Sequence, residues 1–243
     1  MIWETTTAIA AGAAGFMYYA TAVPSSQVFG PAVVRGEPGS GRVALTFDDG
    51  PSETTPAVLD ALAKHGARAT FFLCGANVAR LPDIARRIDW EGHELGNHTF
   101  SHPRLCFRSP AQIGEEIEET QRAVVRAVGH APALFRPPYG LRWVGLYPAL
   151  RLHRLPLINW SVCAYDWKRP AAAIEADLRA KVSDGDIVLL HDGDRTEPGD
   201  RRAATARAVA SVLPWLAGRG LRCVTVSELL DWQWSLDAAT SAK

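Results

Sequence analysis

The sequence predicts one α/β domain built on a mostly parallel sheet whose strand ends converge as they do in a barrel. Three observations carry this expectation. Seven short apolar runs alternate with amphipathic stretches from Val43 onward, the pattern of repeated βα units. Residues able to do chemistry follow five of those runs, and tips from so many strands meet at one mouth in a barrel, whereas an open sheet gathers ligands at a single crevice. Finally, 243 residues suffice for a full-sized core without disulfide support.

The first run, 43–47, places Val43, Leu45 and Phe47 at alternating positions and ends in Asp48, Asp49, Gly50 and Pro51. The spacing predicts a strand closed by a turn, with both carboxylates at its C-terminal tip. Further strands are expected at 69–73, 93–97, 133–136, 157–162, 186–191 and 222–226. The clearest helix spans 110–128, with Ser109 as N-cap, Pro110 in the first turn and Gly129 just past the end. Residues 24–42, with Pro24, Pro31 and Pro38, read as a linker. The chain therefore divides into an N-terminal segment, 1–36, and a catalytic domain, 37–243. Residues 8–23 are apolar and uncharged but rich in Ala and Gly. They lack a basic leader and are short for a membrane span, so membrane association and a surface-packed helix both stay open.

The 26 basic and 26 acidic residues, with a pI near 7.1, give no steering toward nucleic acid. A monomer acting on a substrate at least as well neutral as charged is expected. Cys74, Cys106, Cys163 and Cys223 are widely spaced with no CxxC pair, and buried free thiols are favoured over two disulfides.

Adjacent carboxylates resist joint ionisation unless positive charge offsets them. The alternative for Asp48 and Asp49 is a simple Asx turn capping the next helix. In "HTFSH", His98 and His102 have a spacing common among ligands of one metal ion, able to point the same way on a helical turn. One Asp with two His leaves a coordination position for water, and the neighbouring Asp remains free to act as base. "RPPY" ends the fourth run with a rigid loop holding Arg136 and the Tyr139 backbone. His191 closes the apolar sixth run as either a capping group or an acid catalyst, the latter needing a carboxylate that Asp166 supplies.

In order, "TFDDG", "HTFSH", "RPPY", the "DW" after a tryptophan-bearing strand and "LLH" resemble the five motifs of the polysaccharide deacetylases of carbohydrate esterase family 4, over residues 42–230. The resemblance implies a distorted (β/α)7 barrel and a metal-dependent hydrolase that removes N-acetyl groups from N-acetylglucosamine-type sugars. It implies Asp49, His98 and His102 as ligands of a divalent metal, typically zinc, with cobalt, nickel or manganese as alternatives. It implies Asp48 as general base held by Arg136, and His191 as general acid oriented by Asp166. The Tyr139 N–H would help stabilise the oxyanion, and Trp167 and Leu189 would line the acetyl pocket. Cys163 stands where the fourth motif often has Asp, either buried or as a weak extra ligand. The partner is a polysaccharide or oligosaccharide of peptidoglycan or chitin type, and exposed aromatics such as Trp143, Tyr147 and Trp167 can stack on sugar faces. O-deacetylation, as of acetylated xylan, and an inactive carbohydrate-binding relic are the other readings. An extracytoplasmic or membrane-anchored location is expected, with the cytoplasm as alternative.

Overall fold

The computed structural model describes residues 2–232, so the end of the expected 37–243 domain, 233–243, lies outside the described residues. Seven strands run parallel: β1 (Arg42–Asp48), β2 (Thr70–Leu73), β3 (Glu94–Asn97), β4 (Leu134–Phe135), β5 (Val162–Cys163), β6 (Ile187–His191) and β7 (Arg222–Cys223). Their order is β4-β3-β2-β1-β6-β5, with β7 paired to the first two residues of β1. The helices are α1 (Ile2–Ala22), α2 (Thr55–Lys64), α3 (Gly75–Arg80), α4 (Pro82–Trp90), α5 (Pro110–Val128), α6 (Leu146–His153), α7 (Ala171–Lys181), α8 (Ala203–Gly218) and α9 (Val226–Leu229).

The expected fifth strand, 157–162, is split, and the split closes the ring. Ile158 N–H donates to Phe135 O of β4 at 2.9 Å, while Ser161 N–H donates to Ile187 O of β6 at 3.0 Å. One short segment thus bonds to both open edges of the sheet, giving a distorted (β/α)7 barrel. The expected strand at 222–226 also stops early. Thr225 accepts from the Glu228 N–H while the Glu228 side chain accepts from the Thr225 N–H, a capping box that starts α9 instead.

Alternation along β1 sorts side chains between two cores. Val43, Leu45 and Phe47 pack outward with Val58, Leu62, Leu190 and Val209 under the helices. Ala44 belongs to the inner cluster with Phe72, Leu134, Ile158 and Ile187. Thr46 and Asp48 share its parity, so the strand delivers Asp48 to the barrel's C-terminal mouth. Helix α5 forms as expected: Ser109 caps it in a capping box with Gln112, and Gly129 ends it in a left-handed conformation.

Residues 23–36, read from sequence as part of a linker, lie against the barrel. Asn159 N–H donates to Val33 O at 2.7 Å, Val33 N–H to Leu157 O at 2.9 Å and Gly36 N–H to Gly185 O at 2.7 Å. The fully buried Arg142 donates through its guanidinium to the carbonyls of Val23 and Ser26, and Asn159 Nδ2 donates to Pro24 O. These side chains satisfy the Pro24 and Ser26 carbonyls and add a second donor to Val23, which already accepts from the Ser26 N–H. Residues 10–19 of α1 are exposed. Among the described residues no helix is long and apolar enough to cross a membrane.

Candidate active site

The five motif segments meet in one cleft of about 470 Å³ whose lining includes Asp48, Asp49, His98, His102, Tyr139, Trp167, Leu189 and His191. Each is carried there by a strand exit. β1 ends at Asp48, and Asp49 takes a left-handed backbone, φ 72, which breaks the strand's alternation, so that Asp48 Oδ2 and Asp49 Oδ1 both face His98 Nε2, at 3.7 and 3.5 Å. Asp and Asn tolerate that region better than most residues. A Cβ on Gly50 would sit 2.3 Å from an Asp192 carboxylate oxygen, so only glycine lets the chain pass there.

His98 and His102 do converge, but not on a helical turn as their spacing suggested. Residues 98–102 form an irregular loop with left-handed Thr99 (φ 67) and His102 (φ 56). Those two reversals bring the imidazoles to one point, with ring centroids 5.1 Å apart.

The described residues contain one group able to hold a metal ion, Asp49, His98 and His102, with donor atoms within 4.8 Å of one another. Asp49 Oδ1 lies 3.5 Å from His98 Nε2 and 3.1 Å from His102 Nε2. His98 Nδ1 lies 2.7 Å from the Arg136 carbonyl. A carbonyl can only accept, so Nδ1 carries the hydrogen and the Nε2 lone pair faces Asp49, as metal ligation requires. Asp49 is anchored from behind, its Oδ2 accepting the Arg195 N–H at 2.9 Å. Burial pushes Asp49 up, but the His102 and His98 rings beside it outweigh that and hold the carboxyl well below the usual range. An ionised carboxylate and two imidazole nitrogens, all buried, suit a divalent ion such as zinc.

Asp48 is divided between two partners. Its Oδ1 accepts from Arg136 Nη1 at 2.7 Å, and its Oδ2 lies 3.7 Å from His98 Nε2, beside the metal-binding atoms. Arg136 is fully buried and each of its nitrogens donates: Nη1 also reaches Thr46 Oγ1, Nε the Ile158 carbonyl and Nη2 the Asn159 carbonyl. Its guanidinium lies 4.0 Å from the Phe72 ring centroid. Phe72 has room because a Cβ on Gly96 would meet its ring at 2.3 Å. Burial pulls Arg136 below its ordinary pKa and Asp48 opposes that shift.

On the far wall, Asp166 accepts three donors: His191 Nδ1 at 2.9 Å, the His191 N–H at 2.8 Å and Thr205 Oγ1 at 2.7 Å. This leaves His191 Nε2 as the atom free to work in the cleft. Burial lowers the His191 pKa, but Asp166, then Asp49 and Asp48, raise it to about 9. Trp167 stands edge-on to His191 at 4.9 Å and Tyr139, left-handed at φ 61, edge-on to His102 at 4.8 Å. Cys163 is a half-buried free thiol outside the metal-binding group, pushed up to about 11 by burial. The other three cysteines are also free.

Sequence reasoning missed several members. Asn77 Nδ2 donates to both the Asp49 and Arg195 carbonyls, at 2.7 and 2.6 Å. Asp192 accepts from Thr55 Oγ1 at 2.5 Å under the Gly50 turn, and burial raises its pKa to about 7. Trp160 lines the cleft and approaches Arg136. Asp192 had a signal, sitting next to His191 in "LLHD"; Asn77 and the Arg195 backbone had none.

The polysaccharide deacetylase family model matches residues 35–151. The peptidoglycan-N-acetylglucosamine deacetylase PgdA of Listeria monocytogenes is 40% identical over 190 residues, 77% of this chain. The chain spans only 38% of that relative's length. The chitooligosaccharide deacetylase of a Bradyrhizobium strain is 38% identical over 202 residues, 79% of this chain and 91% of that protein. A crystal structure of the Bc1960 peptidoglycan N-acetylglucosamine deacetylase superposes with a TM-score of 0.77 at 34% identity, covering 83% of this chain and 94% of that one.

Proposed function

The chain belongs to the polysaccharide deacetylase family, and on that premise we propose that it hydrolyses the N-acetyl groups of N-acetylglucosamine units in a glycan of peptidoglycan or chitin type. The observation that carries this reading is the division of Asp48. One oxygen is fixed by Arg136 and the other faces the Asp49–His98–His102 cluster, where a base for an attacking water belongs.

Asp49, His98 and His102 would hold the divalent ion, zinc in keeping with the mixed oxygen and nitrogen donors. When bound, the ion supplies Lewis acidity toward the acetyl carbonyl and makes water a better nucleophile at neutral pH. Asp48 accepts a proton from the attacking water, Arg136 holding its other oxygen so that the acceptor lone pair stays aimed at the cleft. The Tyr139 N–H, presented by the rigid Pro137-Pro138 loop, donates to the oxyanion as the carbonyl carbon becomes tetrahedral. His191 gives its Nε2 proton to the departing amine as the C–N bond breaks, with Asp166 fixing the ring through Nδ1. With a pKa near 9, His191 carries that proton at neutral pH. Trp167 and Leu189 enclose the acetyl methyl and exclude bulk water.

Such a substrate lies outside the cytoplasmic membrane, and α1, which is not long and apolar enough to cross a membrane, would associate with that membrane's surface through its exposed residues 10–19. Recovery of the full chain solely from the cytosolic fraction would end that part of the reading. The activity is tested by acetate release from N-acetylglucosamine oligomers and from acetylated xylan, before and after chelation and zinc readdition. Zinc-restored release from the amino sugar alone is expected. Release from xylan alone would make the protein an O-deacetylase.

A further inference from the structure

The metal-binding residues come from two separate segments, Asp49 after β1 and His98 with His102 after β3. Residues 74–77, where β2 passes into α3, belong to neither, yet they bond to both. The Cys74 N–H donates to the Gly50 carbonyl at 2.9 Å, and the Gly75 and Ala76 N–H groups donate to the Thr99 and Phe100 carbonyls, each at 3.0 Å. Those three bonds join backbone to backbone and survive any change of side chain. The remaining link is the Asn77 side chain, 2% exposed. Its Nδ2 carries two hydrogens and donates to the Asp49 carbonyl at 2.7 Å and the Arg195 carbonyl at 2.6 Å. Among the described residues neither carbonyl has another donor.

These bonds close a ring. The Arg195 N–H donates to Asp49 Oδ2, while Asp49 Oδ1 faces both imidazoles. Asp49 and Arg195 both take left-handed backbones, φ 72 and 53, which non-glycine residues seldom adopt unaided. One amide thus fixes the two peptide groups that decide where the Asp49 carboxylate points. We propose that Asn77 is a positioning residue of the metal centre: by clamping the Asp49 and Arg195 carbonyls it holds Asp49 Oδ1 where His98 and His102 converge, and so sets the affinity for the divalent ion. This role rests on the reading of Asp49, His98 and His102 as metal ligands.

The test is the zinc dissociation constant of the full chain, taken by chelator competition, with Asn77→Leu keeping the branching of the side chain without its hydrogens. The constant is expected to rise about 10–100-fold, the scale for lost groups that orient a ligand. The visible absorption of the cobalt-loaded protein should change shape as well, because the carboxylate is no longer held at one angle. Asn77→Ser, with a single hydroxyl hydrogen, should raise the constant less, and it carries the same criterion should Asn77→Leu not fold. Gln121→Ala is the control. It removes an amide-to-carbonyl bond of the same kind, Nε2 to the Pro132 carbonyl at 3.0 Å on α5, and should lower the unfolding midpoint while keeping the zinc constant and the cobalt spectrum. Unchanged zinc affinity and cobalt spectrum in the Asn77 variants, or an equal loss in Gln121→Ala, would overturn the proposal. Failure of the unaltered chain to bind zinc would defeat the metal reading and this role with it, whereas zinc binding without acetate release would defeat the deacetylase assignment alone.

Discussion

The two ends of the barrel are built on the same seven strands and obey different rules. At the N-terminal end, strands begin with ordinary surface chemistry. Arg42 pairs with Asp231 and Arg68 with Glu228, all against solvent. At the C-terminal end, Asp48, Asp49, His98, His102, Arg136 and Asp166 are all under 10% exposed, and non-glycine residues Asp49, Thr99, His102, Tyr139, Tyr165 and Arg195 adopt left-handed backbones. Each such residue costs of order 1–3 kcal/mol. The difference teaches where the alternation pattern ends and the site begins: the strands supply a frame, and buried charge at their exits marks the residues aimed for chemistry, whereas left-handed backbone occurs at the other end as well, at Asp231.

The contrast is sharpest if variants at the two ends fail in different ways. The largest effect is expected from Asp48→Asn, which keeps shape but removes the proton acceptor. Acetate release should fall about 10²–10⁴-fold, the range for a lost general base, with the thermal unfolding midpoint nearly unchanged. An active Asp48→Asn enzyme would break the comparison.

Arg136→Met should damage both fold and function. It strands Asp48 in a buried site, and breaking a buried pair costs about 3–5 kcal/mol, measurable by urea unfolding. Arg142→Met tests the docked N-terminal arm in the same assay. It leaves the Ser26 carbonyl without its donor and takes one of two from the Val23 carbonyl, which keeps the Ser26 N–H, a loss of about 1–3 kcal/mol. Because the arm also pairs with Leu157 and Asn159, whose neighbourhood supplies the carbonyls that hold Arg136, activity should be measured on the full chain rather than on residues 37–243.

The pH profile gives a subtler reading. His191 must be protonated to act as acid, and its folded pKa is raised to about 9. The alkaline limb of kcat/KM is therefore expected near pH 9. Asp166→Asn removes the largest raising influence and should move that limb down toward the ordinary imidazole value of about 6.5. The sign for stability follows from the same shift. Its contribution is full below the unfolded value near 6.5 and is lost as pH rises through about 9. The smallest effect is expected at the other end: Asp231→Ala should alter neither the unfolding midpoint nor kcat, since its partnership with Arg42 is solvent-screened.

Much of this was legible in the sequence because strand exits in a closed sheet have few places to go. Alternation at Val43, Leu45 and Phe47 fixed the parity that sends Asp48 inward, and Ser109 with Gly129 bounded α5. The split of 157–162 was not legible. Asn159 and Ser161 interrupt its apolar residues, but which edge each amide meets depends on where the ring closes. The Thr225–Glu228 capping box was readable, but the β-branched run before it masked a helix start. Docking of residues 23–36 depended on Arg142 and Asn159, more than a hundred positions away, reaching carbonyls that proline-rich sequence leaves free. Asn77 acts only through backbone carbonyls brought near by folding, and local sequence carries no trace of that.

The most direct measurement is zinc content and acetate release, taken together, for the full chain, Asp48→Asn and Asp49→Asn. The structure predicts that Asp48→Asn keeps its zinc and loses turnover, and that Asp49→Asn loses both, because Asp49 Oδ1 faces both imidazoles while Asp48 is tied to Arg136. Loss of zinc from Asp48→Asn with retention in Asp49→Asn, or undiminished turnover in either, would contradict the division of labour between the two aspartates.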